Sequence, residues 1–145
     1  GPDDGMLEQL KKIAGSSQFN NRIHFPGYLS GIEKQVALRS AMLLTIPSRS
    51  EAMSIVILEA GAVGTPVLFT TTCGLADFAD EGAGIQVLPS TEEIARGIQK
   101  FLTDSKSDYA GGALLQHLVQ SNYLWSYQAQ RYLTLYGQLL SGPKH

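Results

Sequence analysis

Residues 42–70 read MLLTIPSRSEAMSIVILEAGAVGTPVLFT, and this stretch decides the fold. Residues 42–46 are apolar on both faces, which is typical of a buried parallel strand, and a proline ends the run. Residues 54–63 have the length and composition of a helix, which a glycine and a proline close. Residues 67–70 form the next apolar run. A strand, a helix and a strand with short connections predict a βαβ unit and therefore a parallel sheet.

The rest of the chain alternates between helical and extended patterns in the same way. Two more strands are predicted, at residues 22–25 and 85–88. Ser30 and Ser90 each stand three residues before a glutamate, a pattern that caps the start of a helix. The predicted helices cover residues 6–14, 30–41, 91–102, 109–119 and 124–140. The patterns together predict one α/β domain over residues 1–145, a Rossmann-like parallel sheet of about four strands with flanking helices, in which residues 106–140 form the C-terminal helices.

The composition bounds the function. Thirteen acidic and eleven basic residues give a net charge of −2, and the basic residues are scattered, which argues against a nucleic-acid partner. The single cysteine excludes an internal disulfide, and three separated histidines argue against a structural zinc site. The apolar runs are too short to cross a bilayer, and the N-terminus lacks a signal-peptide pattern. We therefore expect a soluble, cytoplasmic protein.

The loop after the 42–46 strand is where chemistry is expected, because ligands of parallel sheets bind beyond the carboxyl ends of the strands. The helix that opens at Ser54 directs free backbone N–H groups and its positive dipole end toward that region, which favours a phosphate or a diphosphate. Glu51 precedes this helix and Glu59 lies within it, with seven residues between them. Glu59 could accept hydrogen bonds from ribose hydroxyls, and Glu51 could accept them from a sugar.

This segment resembles glycosyltransferase family 4, whose members are retaining enzymes with a GT-B fold of two Rossmann-like domains. The resemblance rests on residues 47–60, PSRSEAMSIVILEA, which look like the family's E-x7-E signature, and on residues 64–67, GTPV. It implies that Glu51 is the catalytic residue that contacts the donor sugar. It also implies that Glu59 holds the donor ribose.

The resemblance extends to the rest of a donor site. Besides Glu59, the donor-binding residues that it implies are Ser54, Ile55, Val56, Gly27, Tyr28 and Gly74. Ser54, Ile55 and Val56 would hold the diphosphate through backbone amides. Gly27 and Tyr28 would lie near the nucleobase, and Gly74 belongs to a loop that approaches the donor. Met53 and Ser54 stand where family members usually carry glycine. The donor implied is a nucleoside diphosphate sugar, and neither a metal nor a further cofactor is expected.

Parts of a complete family member have no counterpart in this sequence. Such a member has an acceptor domain first, and its donor domain begins with two strands and an Arg/Lys pair that neutralises the diphosphate. We therefore expect the chain to be the C-terminal part of the donor-binding domain, which is the C-terminal domain of such enzymes, and a poor enzyme alone. The expected partners are the missing N-terminal acceptor domain or another copy of the chain. Membrane association of the complete protein stays open.

The missing elements leave two surfaces to account for. Without the two early strands, the 42–46 strand gains an open edge, and we expect this edge to pair with the 22–25 strand or with another chain. The last helix carries an apolar stripe, which predicts core packing, although in complete relatives this helix also leans on the first domain. Part of the stripe is therefore expected to be exposed. Its residues are Trp125, Ala129, Tyr132, Leu133 and Tyr136.

Other interpretations of the same residues stay open. Glu51 alone could be a carboxylate favoured by the helix dipole, and Glu59 could be a solvated helix acid. The resemblance implies transfer of a sugar, of the hexosyl type, from a nucleoside diphosphate sugar to a hydroxyl acceptor with retention. The first alternative is a non-catalytic nucleotide-binding or interaction module. The second is a sugar-nucleotide epimerase of the same architecture, which would need further acid and base residues.

Overall fold

A computed structural model of the chain describes residues 3–104 and 110–141. The chain divides after Val36 into two compact units. The predicted helix start at Tyr109 lies outside the described residues. The assignment of the whole chain to one domain stays a prediction.

The helices and strands follow the order that the sequence predicts, with exceptions at residues 22–25 and 76–80. The first unit contains helix α1 (Leu7–Ser16), a 3-10 turn (Asn20–Arg22) and the start of helix α2 (Gly31–Ser40). The second unit begins with the end of α2 and continues with β1 (Leu44–Ile46), α3 (Ile55–Ala62), β2 (Val67–Thr70), a 3-10 turn (Thr71–Cys73), α4 (Ala76–Asp80), β3 (Ile85–Val87), α5 (Thr91–Asp104), α6 (Gly111–Asn122) and α7 (Trp125–Ser141). The short helix α4 is an addition that the sequence patterns did not predict.

The predicted strand at residues 22–25 is wrong. Arg22 ends the 3-10 turn, and residues 23–30 have no regular secondary structure. Ile23 and Phe25, which a buried strand would cover, are exposed. A strand satisfies its backbone N–H and C=O groups through a hydrogen-bonded neighbour. None of the described residues forms such a neighbour for this segment.

The sheet has three parallel strands in the order β1-β2-β3. Leu44 of β1 lies opposite Val67 of β2, and Thr70 of β2 lies opposite Val87 of β3. This arrangement confirms the α/β class and the parallel sheet, whereas the expected count of about four strands is too high because residues 22–25 do not form one. β1 is an edge strand within the described residues, so the predicted pairing of β1 with residues 22–25 is wrong. Coverage of this edge by another chain stays a prediction.

β2 lies in the middle of the sheet and at the centre of the core. All four of its residues are 0% exposed, because helices cover both faces of the sheet. Val67 and Phe69 pack on one face in a cluster to which α3 and α6 contribute, including Leu115. Leu68 faces the other way, as alternation along a strand requires. There α5 approaches so closely that a Cβ on Gly97 would lie 2.6 Å from Leu68 Cδ1.

A buried hydrogen bond ties the end of α2 to the start of β2. The Thr65 hydroxyl donates to the Leu38 carbonyl over 2.7 Å, and that carbonyl also accepts from the Ala41 N–H. We expect Thr65→Val to lower the free energy of unfolding by about 1 kcal/mol, because the carbonyl loses one of two donors in buried surroundings. Urea unfolding measures this loss. The same change at exposed Thr71 is the control and should stay within about 0.5 kcal/mol. Equal effects at both positions would contradict the assignment.

α7 is the least buried element of the second unit. None of its residues is buried, and Trp125 is 87% exposed. The prediction that its apolar stripe packs in a core is wrong for the described structure, whereas the expected exposure of part of the stripe is confirmed. No helix among the described residues combines the length and the apolar character needed to span a membrane.

Candidate functional site

Two loops meet at the carboxyl edge of the sheet, namely residues 47–54, after β1, and the segment after β2. The Glu51 N–H donates to the Thr72 carbonyl over 3.1 Å. The Thr70 and Thr72 hydroxyls both donate to the Ser48 carbonyl, at 2.5 and 2.6 Å respectively. We call this pair of hydroxyls on the Ser48 carbonyl the threonine clamp. These bonds fix the loop that carries Glu51 relative to the buried central strand.

Gly74 brings the two loops into direct backbone contact. Its φ is +68°, and a Cβ built on it would lie 2.0 Å from the Ala52 carbonyl oxygen. Only glycine fits this approach without movement of a backbone. Gly74 therefore lies at the edge of the sheet where the sequence predicts a site, and packing on Ala52 accounts for its identity. Its contact with a donor stays a prediction.

Glu51 is held at both its backbone and its side chain. Its carboxylate is half-buried, and the Ser48 hydroxyl donates to Oε2 over 3.0 Å. Since its N–H is also bonded to the segment after β2, the side chain starts from an ordered position. An ordered group loses little conformational freedom when a ligand binds to it.

The N-terminus of α3 opens toward the same edge. Ser54, which precedes the helix, is 1% exposed, and its hydroxyl makes no capping bond in the described structure. The first N–H groups of a helix lack partners within the helix. Ile55 and Val56 occupy these first positions and are 63% and 38% exposed. Their amides, together with the positive end of the dipole, favour an anion at this surface.

Glu59 is the fifth residue of α3. At about 100° per residue it lies on nearly the opposite side of the helix from Gly61, which packs against Leu115 and Val119 of α6. Glu59 is nevertheless half-buried, and its Oε2 atom is buried. A solvated surface acid would be more exposed than this. The half-burial argues against the alternative of a solvated helix acid, and the contact of Glu59 with a donor ribose stays a prediction.

Gly27 and Tyr28 belong to the first unit. They line a groove of about 600 Å³ together with His24 and Phe25. Tyr28 is 71% exposed, so its ring has an open face. Their predicted role near a nucleobase stays a prediction.

Ser48, Thr70 and Thr72 are site residues that the sequence patterns did not single out. The signal in the sequence is a run of three threonines that begins in the last residue of an apolar strand, which places hydroxyls at the edge where ligands bind. Among the described residues no three His, Cys, Asp or Glu side chains come together as a metal site would require. The expectation of a metal-free site stays a prediction.

Comparison with known proteins gives a consistent family. A family model described as "Glycosyl transferases group 1" matches residues 1–111. The lipopolysaccharide glucosyltransferase WaaG of Escherichia coli is 32% identical over 121 residues, which are 81% of this chain and 32% of that protein. A D-inositol 3-phosphate glycosyltransferase of Stackebrandtia nassauensis is 31% identical over 135 residues, which are 90% of this chain and 30% of that protein.

A solved structure agrees with these matches. The sucrose-phosphate synthase of Thermosynechococcus elongatus superposes with a TM-score of 0.82 and 26% identity, over 97% of this chain and 37% of that one. The chain spans about a quarter to a third of the length of the curated relatives that it matches.

Proposed function

Because this chain belongs to the group 1 glycosyl transferases and has the fold of part of the C-terminal domain of their GT-B enzymes, we propose that it binds a nucleoside diphosphate sugar. In the complete enzyme, this part would hold the donor while the sugar passes to a hydroxyl acceptor. Two of the relatives are a glucosyltransferase and a glycosyltransferase, which supports glycosyl transfer.

One observation carries the proposal. The Glu51 loop and the N-terminus of α3 lie at the carboxyl edge of a parallel sheet, with Glu51 held by the Ser48 hydroxyl at 3.0 Å. A diphosphate has the charge that a helix N-terminus attracts. The sugar hydroxyls on one side of a diphosphate and the ribose hydroxyls on the other are donors, and carboxylates accept from donors. Glu51 would meet the sugar and Glu59 the ribose.

The chemistry supplied by this part would be electrostatic. The bond between the anomeric carbon and the diphosphate oxygen breaks, and negative charge develops on the departing diphosphate. The amides of Ile55 and Val56 would stabilise that charge without moving. The acceptor oxygen would bond to the anomeric carbon on the same face, and its proton would pass to the diphosphate. Retention and the hexosyl type of the sugar belong to this proposal.

A titration of the isotopically labelled chain with ADP, GDP and UDP tests the proposal. We expect at least one of them to shift the NMR signals of the Ile55 and Val56 amides and of the Glu51 loop, because the diphosphate would accept hydrogen bonds from the helix N-terminus. The corresponding nucleosides, which lack the diphosphate, serve as controls and should cause much smaller shifts at these amides.

The pattern of shifts separates the alternatives. Shifts at the helix N-terminus with no glycosyl transfer by the complete protein would favour the non-catalytic nucleotide-binding module. A folded sample in which no diphosphate shifts these amides would contradict the proposal.

A further inference from the structure

A network of hydroxyls lies where β1 and β2 end, and its centre is the Ser48 carbonyl. The Ser48 carbonyl oxygen has two lone pairs, and the threonine clamp fills both. Each threonine hydroxyl has a single proton, so the 3.1 Å contact between Thr70 Oγ1 and Thr72 Oγ1 is left without a proton to share. The Cys73 thiol lies 3.5 Å from Thr70 Oγ1 and also contacts the Ile46 carbonyl oxygen, to which it donates over 3.9 Å.

The clamp has a rigid base. Thr70 is 0% exposed and belongs to the central strand β2, and Cys73 is also 0% exposed. Buried hydroxyl networks whose bonds are satisfied make their surroundings rigid. The peptide of Ser48 therefore has a fixed orientation relative to the sheet, although it lies in a loop.

The side chain of Ser48 links this fixed peptide to Glu51 through a hydrogen bond. Residues 48–51 read SRSE, a spacing that in a helix start would make a capping box, but the loop is not helical. The Ser48 hydroxyl instead donates to Glu51 Oε2 over 3.0 Å. A bond to an ionised acceptor is stronger than one between neutral groups. It engages Oε2, and Oε1 is the carboxylate oxygen that Ser48 does not bind.

We propose that Ser48 is a positioning residue that orients the Glu51 carboxylate toward the sugar of the donor, with the threonine clamp holding Ser48 in place. This inference rests on the proposed function in one respect, the identity of the ligand that Glu51 meets. The orientation of Glu51 by Ser48 does not depend on the ligand.

The ratio of the affinities for a diphosphate with and without an attached sugar measures how the orientation of Glu51 affects ligand binding. The dissociation constants of ADP, GDP and UDP are measured beside those of their glucose conjugates for the unaltered chain and for Ser48→Ala. We expect Ser48→Ala to lower the preference for the conjugate by about fivefold, the effect of a typical hydrogen bond, and to leave binding of the plain diphosphate unchanged. Ser48→Thr, which keeps the hydroxyl, should restore the preference. Ser50→Ala, at an exposed serine of the same loop, is the matched control.

A structural defect would give a different result. If Ser48→Ala weakened the diphosphate and its conjugate by the same factor, or changed neither, the inference would be overturned.

NMR relaxation of the Glu51 side chain decides the orientation without any ligand. We expect the order parameter of its Cγ methylene to fall in Ser48→Ala, to recover in Ser48→Thr and to stay unchanged in Ser50→Ala. An unchanged order parameter in Ser48→Ala would overturn the inference. A chain that binds none of the diphosphates would refute the proposed function, and the relaxation measurement would still decide whether Ser48 orients Glu51.

Discussion

Gly74→Ala is expected to destabilise the second unit by about 2–5 kcal/mol and to remove nucleoside diphosphate binding. The new Cβ would lie 2.0 Å from the Ala52 carbonyl oxygen and 2.9 Å from the Ala52 carbonyl carbon. Both atoms are backbone, so no side-chain rotation relieves the overlap. Alanine at positive φ costs a further ~1–2 kcal/mol. The loop that carries Glu51 must move away from the segment after β2, which breaks the bond between the Glu51 N–H and the Thr72 carbonyl.

Gly82 offers a matched control for this change. Its φ is +72°, close to that of Gly74, but a Cβ there would meet only Leu114 Cδ1, at 3.8 Å. Gly82→Ala therefore carries the cost of the backbone conformation without the overlap, about 1–2 kcal/mol. Urea unfolding of both variants gives the difference in the free energy of unfolding, which we expect to be about 1–3 kcal/mol, the typical cost of overpacking. Equal losses would show that the two loops are not in the contact described.

The sequence predicts the centre of this fold well and its margin poorly. The βαβ segment of β1, α3 and β2 has apolar runs, stop signals and short connections that agree with one another, and the structure follows them. Residues 22–25 have the same local pattern as a strand and do not form one. A strand depends on a neighbour that local sequence does not contain, and no neighbour is present among the described residues. The prediction that α7 packs in a core fails for the same reason. An apolar stripe shows that a helix has a face that can be buried, but it does not show which element would cover that face.

Some residues of the candidate site can be predicted from the sequence and others cannot, for the same reason. Glu51 and Glu59 stand out because their spacing around a helix start is visible in one stretch of sequence. The threonine clamp does not stand out, because it joins Ser48 to residues more than twenty positions away. The capping pattern of Ser48 and Glu51 is even misleading locally, since it indicates a helix start where the structure has a loop. Pairing between loops depends on the strand register, which only the folded sheet supplies.

Glu59→Ala is expected to weaken binding of a nucleoside diphosphate by about 10- to 100-fold, the effect of one hydrogen bond to a charged group. In the proposed site the Glu59 carboxylate accepts hydrogen bonds from the ribose hydroxyls. In Glu59→Ala these hydroxyls would bond to water instead, which is a weaker acceptor than a carboxylate. Glu59→Gln keeps one acceptor oxygen and should lie between the two. NMR titration or calorimetry with the diphosphate that binds best measures the change. The folded state should persist in both variants, because the Glu59 side chain is half-buried and not part of the fully buried core.

A ligand that lacks the ribose hydroxyls distinguishes this role from a general disturbance of α3. The 2′,3′-dideoxynucleoside diphosphate should bind the unaltered chain more weakly, and it should bind Glu59→Ala with nearly the same affinity, because the interacting pair is already broken on the ligand side. Glu92→Ala, at an exposed acid in the first turn of α5, is the control and should leave both ligands unaffected. If Glu59→Ala weakened the dideoxy ligand as much as the ordinary one, Glu59 would act through the helix and not through the ribose. The two ligands therefore test the contact itself. A loss of affinity that both ligands share reports on the N-terminus of α3, whereas the difference between their losses reports on the contact between Glu59 and the ribose.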